Sequence, residues 1–183
     1  MAHFSPSCKT LTRAREIPIA GAKFRPTAVR SEEFPLGLKS LSTQWMASMK
    51  ARLETDNVLA EWAVRMAVLR HTAGLGFILE NPWNSYLWLF PSALALAALD
   101  GVFDIRVDNC MFATGSKFKK SRFRTNIAGL RLLIGRRCSG RQICDRTGVQ
   151  HDSWRPTVDG RKVTQFPSEM EAEFQRELCE LLA

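Results

Sequence analysis

Gly76-Phe77-Ile78-Leu79-Glu80-Asn81-Pro82 is a short apolar run that opens at a glycine and closes at Asn-Pro. Phe, Ile and Leu follow one another with no polar residue between them, which suits a strand buried on both faces, as in a parallel sheet. Pro82 has no amide hydrogen to give to a ladder and so ends it. The run predicts a buried parallel strand with a carboxylate, Glu80, at its C-terminal end.

Working outward, Ser42 is placed to cap a helix reaching about Thr72, with Trp45, Met49, Leu53, Leu59, Trp62, Met66 and Leu69 at helical spacing on the expected inner face. His71 and Gly74 mark its end. Downstream, a short helix is expected near Ser92–Leu99, then a strand over Val102–Asp108, a Gly-Ser-Lys-rich loop, a strand over Arg122–Asn126, and a short helix or turn over Leu130–Arg137. At the N-terminus, Ala2-His3-Phe4-Ser5 reads as a short strand stopped by Pro6, with Cys8 just beyond it. Strands alternating with helices imply an α/β fold with a mainly parallel sheet flanked by helices.

The expected organisation over 1–183 is one incomplete domain. Residues 1–9 form a strand and cysteine loop, 10–41 a long loop broken by prolines and glycines, 42–138 the α/β core, 139–167 a loop region and 168–183 a C-terminal helix. Ser168 and Glu171 make a capping box for that helix, and Met170, Phe174, Leu178 and Leu181 give it an apolar stripe.

The chain has 183 residues, 45% hydrophobic and 24% charged, the balance of a globular domain rather than a disordered one. The apolar stretch around Leu87–Leu99 is interrupted by Pro91 and Ser92 and is shorter than the roughly 20 residues of a membrane helix. No signal-peptide pattern opens the sequence, so an intracellular setting is expected, with nuclear and cytoplasmic locations both open. Five cysteines at irregular spacing fit reduced thiols better than a disulfide framework.

Net charge is +8, and the block from Arg106 to Arg146 holds eleven Arg or Lys against Asp108 and Asp145. Interleaved with Phe112, Phe118 and Phe123, this block predicts a nucleic-acid partner, because cations set against phosphates release condensed counterions. A solvated basic face is the other reading of the same residues. Trp83 and Trp88 are candidates to stack on a base, with core packing the more ordinary role. Cys138, Cys144 and His151, with Cys110 as a fourth candidate, are spaced C-x5-C-x6-H, unlike common zinc modules that open with close cysteine pairs, and no metal is expected.

Ser5-Pro6-Ser7-Cys8 with Thr10 and Thr12, then Glu80-Asn81-Pro82, then Phe118-Lys119-Lys120-Ser121-Arg122-Phe123-Arg124 resemble, in that order, three elements of cytosine-5 DNA methyltransferase-like proteins. These are the Pro-Cys loop, the Glu-Asn strand end and the basic loop of the catalytic half. The likeness is greatest to the divergent phage and mobile-element branch, through Glu80-Asn81-Pro82-x-x-Ser85-x-x-Trp88 and Asp108-x-Cys110-x-Phe112. It implies a partial Rossmann-like methyltransferase sheet and a DNA-handling function. Cys8 would be the nucleophile that attacks C6 of cytosine, and Glu80, with Asn81 beside it, would hold the N3 edge of the base. Lys117, Lys119, Lys120, Arg122 and Arg124 would hold phosphates, with DNA favoured over RNA.

The pattern departs from the family at Ser7, where members carry proline, and at Thr164-Gln165-Phe166-Pro167, where they carry Gly-Asn-Val-Pro. The glycine-rich loop and acidic residue that bind S-adenosylmethionine in the family would precede residue 1. The resemblance thus implies that cofactor while the chain alone is not expected to bind it, which points to a truncated or split domain needing a separate chain with the cofactor-binding half. A noncatalytic basic nucleic-acid-binding remnant of a mobile element or phage gene, or a reading frame without selected activity, are the alternatives.

Overall fold

The structure, a computed structural model, describes residues 1–16, 28–39, 46–112 and 118–151, together with Arg176 and Glu180. Within them the chain forms strand β1 (Ala2–Phe4), helix α1 (Met46–Thr72), strand β2 (Phe77–Pro82), helix α2 (Pro91–Ala97), strand β3 (Phe103–Asp108) and strand β4 (Lys120–Thr125). Short 3-10 segments lie at Arg13–Glu16, Tyr86–Leu89, Asn109–Met111 and Ala128–Gly135. The expected C-terminal helix falls largely outside the described residues, as does Lys117.

Four strands make one sheet in the order β1-β2-β4-β3. The strand β1 runs parallel to β2, with Ala2, His3 and Phe4 opposite Phe77, Ile78 and Leu79. The sheet is mixed rather than mainly parallel. Only Asn109–Lys119 connects β3 to β4, a link too short for the dozen or more residues of a parallel crossover.

The chain divides into two compact units, Met1–Asp104 with Phe123–Ile127, and Ile105–Arg122 with Ala128–Ala183. In the first, Phe77 and Leu79 of β2 pack with Ala60, Ala63, Val64 and Ala67 of α1, with Leu11, and with Tyr86, Leu87, Trp88, Phe90, Ala93 and Leu96. Small alanines on α1 let the helix backbone approach the sheet closely. Of the face expected to lie inward, Trp45 is outside the described residues and Leu53 is buried, but Leu59, Trp62 and Leu69 are 46%, 55% and 53% exposed. The buried register runs through Leu53, Asp56, Ala60, Ala63, Val64 and Ala67, so the smaller residues were the inner ones. Helix α1 ends as its sequence implied. Gly74 takes φ +69°, Leu75 N donates to the Arg70 carbonyl at 2.8 Å, and Gly74 N donates to that of His71 at 2.9 Å.

Of the loop expected over 10–41, residues 17–27 and 40–41 lie outside the described residues, and the rest is partly packed. Leu11, Val29 and Arg30 are buried in the first unit. In the second unit, one buried cluster consists of Cys110, Cys138 and Cys144, with Met111 and Phe118 against it. Among the described residues no helix is long and apolar enough to cross a membrane.

Candidate active site

Parallel pairing of β1 and β2 sends both strands out of the sheet in the same direction, so the segments that follow them emerge side by side. Two side-chain bonds join these segments. Ser5 Oγ donates to Glu80 Oε2 at 2.7 Å, and Asn81 Nδ2 donates to the Pro6 carbonyl at 2.9 Å. The structure therefore brings Glu80 and Asn81 to the loop that carries Cys8. Cys8 is half-buried and outside any disulfide, and its carbonyl accepts the amides of Leu11 at 3.1 Å and Thr12 at 2.9 Å.

That turn is anchored from below. Thr10 donates to Asp56 Oδ2 from its amide at 3.2 Å and from its hydroxyl at 2.6 Å. Arg30, 2% exposed, donates from Nε to the Thr10 carbonyl at 2.9 Å and from Nη2 to Thr10 Oγ1 at 2.8 Å. Its Nη1 reaches the Pro35 carbonyl at 2.6 Å and Asn57 Oδ1 at 2.7 Å. Burial lowers the Arg30 pKa to about 10, with Asp56 and Tyr86 acting against that fall. A buried guanidinium with all these acceptors fixes the backbone of the cysteine loop far more firmly than the loop's own proline does.

Sequence reading missed Arg30, Asp56 and Asn57. Arg30 stands in a proline-broken stretch with no periodicity, and Asp56 and Asn57 sit in a helix where a carboxylate and an amide normally face water. The one available signal was an acidic residue in register with the buried face of α1.

Two acceptors at the site lack donors. Glu80 Oε1 and Asn81 Oδ1 are buried and have no hydrogen-bond partner among the described residues. Leaving a buried oxygen unpaired costs about 1–3 kcal/mol, so such atoms call for a ligand or water that supplies N–H or O–H groups. Trp88 is 4% exposed and its indole donates to the Pro82 carbonyl at 2.8 Å, which makes it a core residue; Trp83 is half-buried.

The basic residues separate by environment. Arg124 is a correction to the phosphate-binding set, because its side chain is only 3% exposed and pairs with Asp104 at 2.7 and 2.9 Å. It also donates to the Ala93 carbonyl at 2.5 Å and lies 5.1 Å over the Trp88 ring, so it binds α2 to the sheet. In the second unit, Lys120 is exposed, with Nζ 5.3 Å over the Phe118 ring. Lys119 and Arg122 are half-buried, and the Lys119 carbonyl accepts the Asn109 amide at 2.9 Å. The same unit brings Cys110, Cys138, Cys144 and His151 together, a set whose donor atoms suit a soft metal ion.

Comparison with known proteins finds no family model, no curated protein and no solved structure that matches the chain.

Proposed function

We propose that this chain is the base-handling half of a cytosine-5 DNA methyltransferase-like protein, with Cys8 as nucleophile and Glu80 and Asn81 as the groups that hold an extruded cytosine. The observation that carries this reading is the pair of buried, donorless acceptors, Glu80 Oε1 and Asn81 Oδ1, on residues bonded to the loop of a half-buried thiol. The N3–N4 edge of cytosine offers the amine hydrogens such acceptors lack, and a base reaches such a pocket only after leaving the stack.

The chemistry follows from the residues. The Cys8 thiolate forms a bond to C6 as the C5–C6 π pair moves toward C5 and into the ring. A proton shared between the Glu80 carboxyl and N3 neutralises the charge that builds on the ring. The electron-rich C5 then takes an electrophile, loses its hydrogen, and expels the thiolate. S-adenosylmethionine, when bound, supplies the methyl group for that step. Asn81 acts as a positioning residue as well, since its amide holds the Pro6 carbonyl and so aims the cysteine loop.

Two features support a further chain or segment that carries the cofactor half. Strand β1 lies at the edge of the sheet. Beside it, Trp62 packs edge-on against Phe4 at 6.0 Å, yet is 55% exposed along with Leu59 and Leu69 on the same helix. Apolar rings next to a strand with no outer partner among the described residues suit coverage by another element.

Addition to C6 needs no cofactor, so water can supply the electrophile at C5 and the original hydrogen is washed out. DNA carrying tritium at cytosine C5 is expected to release it to water in the presence of the chain. Cys8→Ser should abolish the release, and Glu80→Gln should slow it by about a hundredfold or more. Equal release by Cys8→Ser and the parent chain would overturn the assignment. Salt-sensitive DNA binding that persists in Cys8→Ala, with no release from either protein, would leave the noncatalytic binding role in its place.

A further inference from the structure

The second unit is unusual in what fills it. Besides Ile105, Val107, Leu130 and Leu133 it buries a cluster of three cysteines, with Cys110, Cys138 and Cys144 exposed by 0%, 2% and 1%. Three thiols crowded this way are poor packing by themselves, yet none of them is in a disulfide. The ligand atoms of Cys110, Cys138, Cys144 and His151 all lie within 4.8 Å of one another, and Cys138 Sγ is 3.6 Å from His151 Nε2. A tetrahedral zinc ion bonded at about 2.3 Å to sulfur and about 2.0 Å to nitrogen spaces its ligand atoms by roughly 3.5–3.8 Å.

The surrounding backbone holds these four residues in ways that a metal site needs. Cys110 lies just past β3, and Cys138 follows the 3-10 segment Ala128–Gly135. Cys144 and His151 flank a small turn closed by an antiparallel bridge between Ile143 and Gln150, by Cys144 N to the Val149 carbonyl at 2.9 Å, and by His151 N to the Gln142 carbonyl at 2.7 Å. Gly148, at φ +67°, makes that turn possible. The other imidazole nitrogen, His151 Nδ1, is 2.6 Å from the Arg141 carbonyl. Only a protonated Nδ1 can donate there, which leaves the Nε2 lone pair directed at the sulfurs, the arrangement by which proteins orient a metal-binding histidine.

Two arginines brace the backbone around the cluster. Arg106 donates to the Cys138 carbonyl at 3.2 Å and forms a bidentate pair with Asp108 at 2.8 and 2.7 Å, while Asp108 accepts the Cys138 amide at 2.8 Å. Arg146 Nε donates to the Cys110 carbonyl at 3.2 Å. Guanidinium groups thus abut the backbone of two of the three cysteines, where a trianionic thiolate set around a divalent ion would leave one negative charge.

We propose that Cys110, Cys138, Cys144 and His151 form a structural zinc centre, a closed Cys3His site that ties together the three segments carrying its ligands. Four protein ligands complete a tetrahedron and leave no position for a reacting water, so the ion's role is to hold the fold. Ligand atoms this close enclose one ion and no sulfide-bridged cluster. Zinc enters as the thiols that still carry protons release them to solvent, with no change of oxidation state.

The test uses the full chain, expressed with zinc and purified without chelator, with metal measured by mass spectrometry. One zinc per chain is expected. After the zinc is exchanged for cobalt, intense visible bands of tetrahedral cobalt and a thiolate charge-transfer band in the near ultraviolet should appear. Cys144→Ser and His151→Ala should each weaken zinc binding by about a hundredfold or more. Because those variants can simply fail to fold, His151→Cys serves as the second test: it keeps four soft ligands and should retain zinc with a stronger charge-transfer band. Cys8→Ser should retain zinc fully. Zinc below about a tenth of an equivalent in the supplemented parent chain, six-coordinate cobalt, or unchanged zinc in the Cys144→Ser, His151→Ala double variant would each overturn the assignment.

Discussion

Asn81 and Pro6 are joined by a 2.9 Å bond from the amide Nδ2 to the carbonyl oxygen, although 75 residues separate them. The contact makes the end of one strand a guide for the loop that leaves the next. Its donor cannot be replaced by a carboxylate. Asn81→Asp should misplace the Cys8 loop and put a second acid beside Glu80, whereas Asn81→Ala leaves the Pro6 carbonyl open to water. Tritium release should therefore fall further in Asn81→Asp than in Asn81→Ala, by about tenfold or more between them. Equal rates in the two would show that the Asn81–Pro6 bond does not position the thiol.

Arg30 is the hub beneath that loop. Arg30→Met removes the donors to Thr10, Pro35 and Asn57 while keeping most of the volume, and leaves several buried acceptors unpaired. The expected loss is about 3 kcal/mol of unfolding free energy, read from the denaturant midpoint. Asn57→Ala, which removes one of those acceptors, should cost about 1 kcal/mol.

Tyr86 is the only tyrosine in the chain, so tyrosinate absorbance reports on it directly. Burial, then the hydrogen bond to Glu16, raises its pKa to about 12. The folded state thus favours the neutral phenol. Stability from this group is fully present below the unfolded value near 10 and is lost as pH rises from there through about 12. Spectrophotometric titration of the folded chain should give a midpoint well above 10, and Glu16→Gln should bring it down.

Arg124 and Lys120 separate two roles that share a charge. Arg124→Met should destabilise the chain by about 2 kcal/mol, since it removes the buried guanidinium's bonds to Asp104 and leaves the Ala93 carbonyl without that donor. Lys120→Gln should leave the unfolding midpoint nearly unchanged and lower the slope of log binding constant against log salt by about one. Binding curves at several salt concentrations, set beside melting curves, distinguish the two.

Gly140 takes φ +73°, and a β-carbon built there would stand 2.5 Å from the Phe118 ring. Phe118 in turn lies 5.3 Å from the His151 imidazole. Gly140→Ala should cost about 2 kcal/mol or more by strain and by displacing that ring, and chemical denaturation checks it.

Elements were legible where local chemistry decides them. The glycine and Asn-Pro around Phe77–Leu79 bound β2, Pro91 starts α2, and Gly74 stops α1. The buried face of α1 was not legible, because size and hydrophobicity favoured Leu59, Trp62 and Leu69, whereas close approach to the sheet required Ala60, Ala63 and Ala67. The meeting of Glu80 and Asn81 with the Ser5–Pro6 segment follows from two strand ends that were readable in the sequence. Arg30 was invisible, since its role depends on a carbonyl, a hydroxyl and an amide brought from three distant segments. The gathering of Cys110, Cys138, Cys144 and His151 was not legible from their spacing, because they come from three separate segments that only the fold brings together.

The short edge strand β1 has a directional consequence. A strand added alongside it in parallel would run toward Pro6 and finish next to Cys8. In open α/β sheets the groups that grip small molecules gather beyond the strands' carboxyl ends. On the proposed reading, an element added at that border would bring its own strand-end groups toward the loop of Cys8, so that joining the sheet and reaching the thiol would be one event.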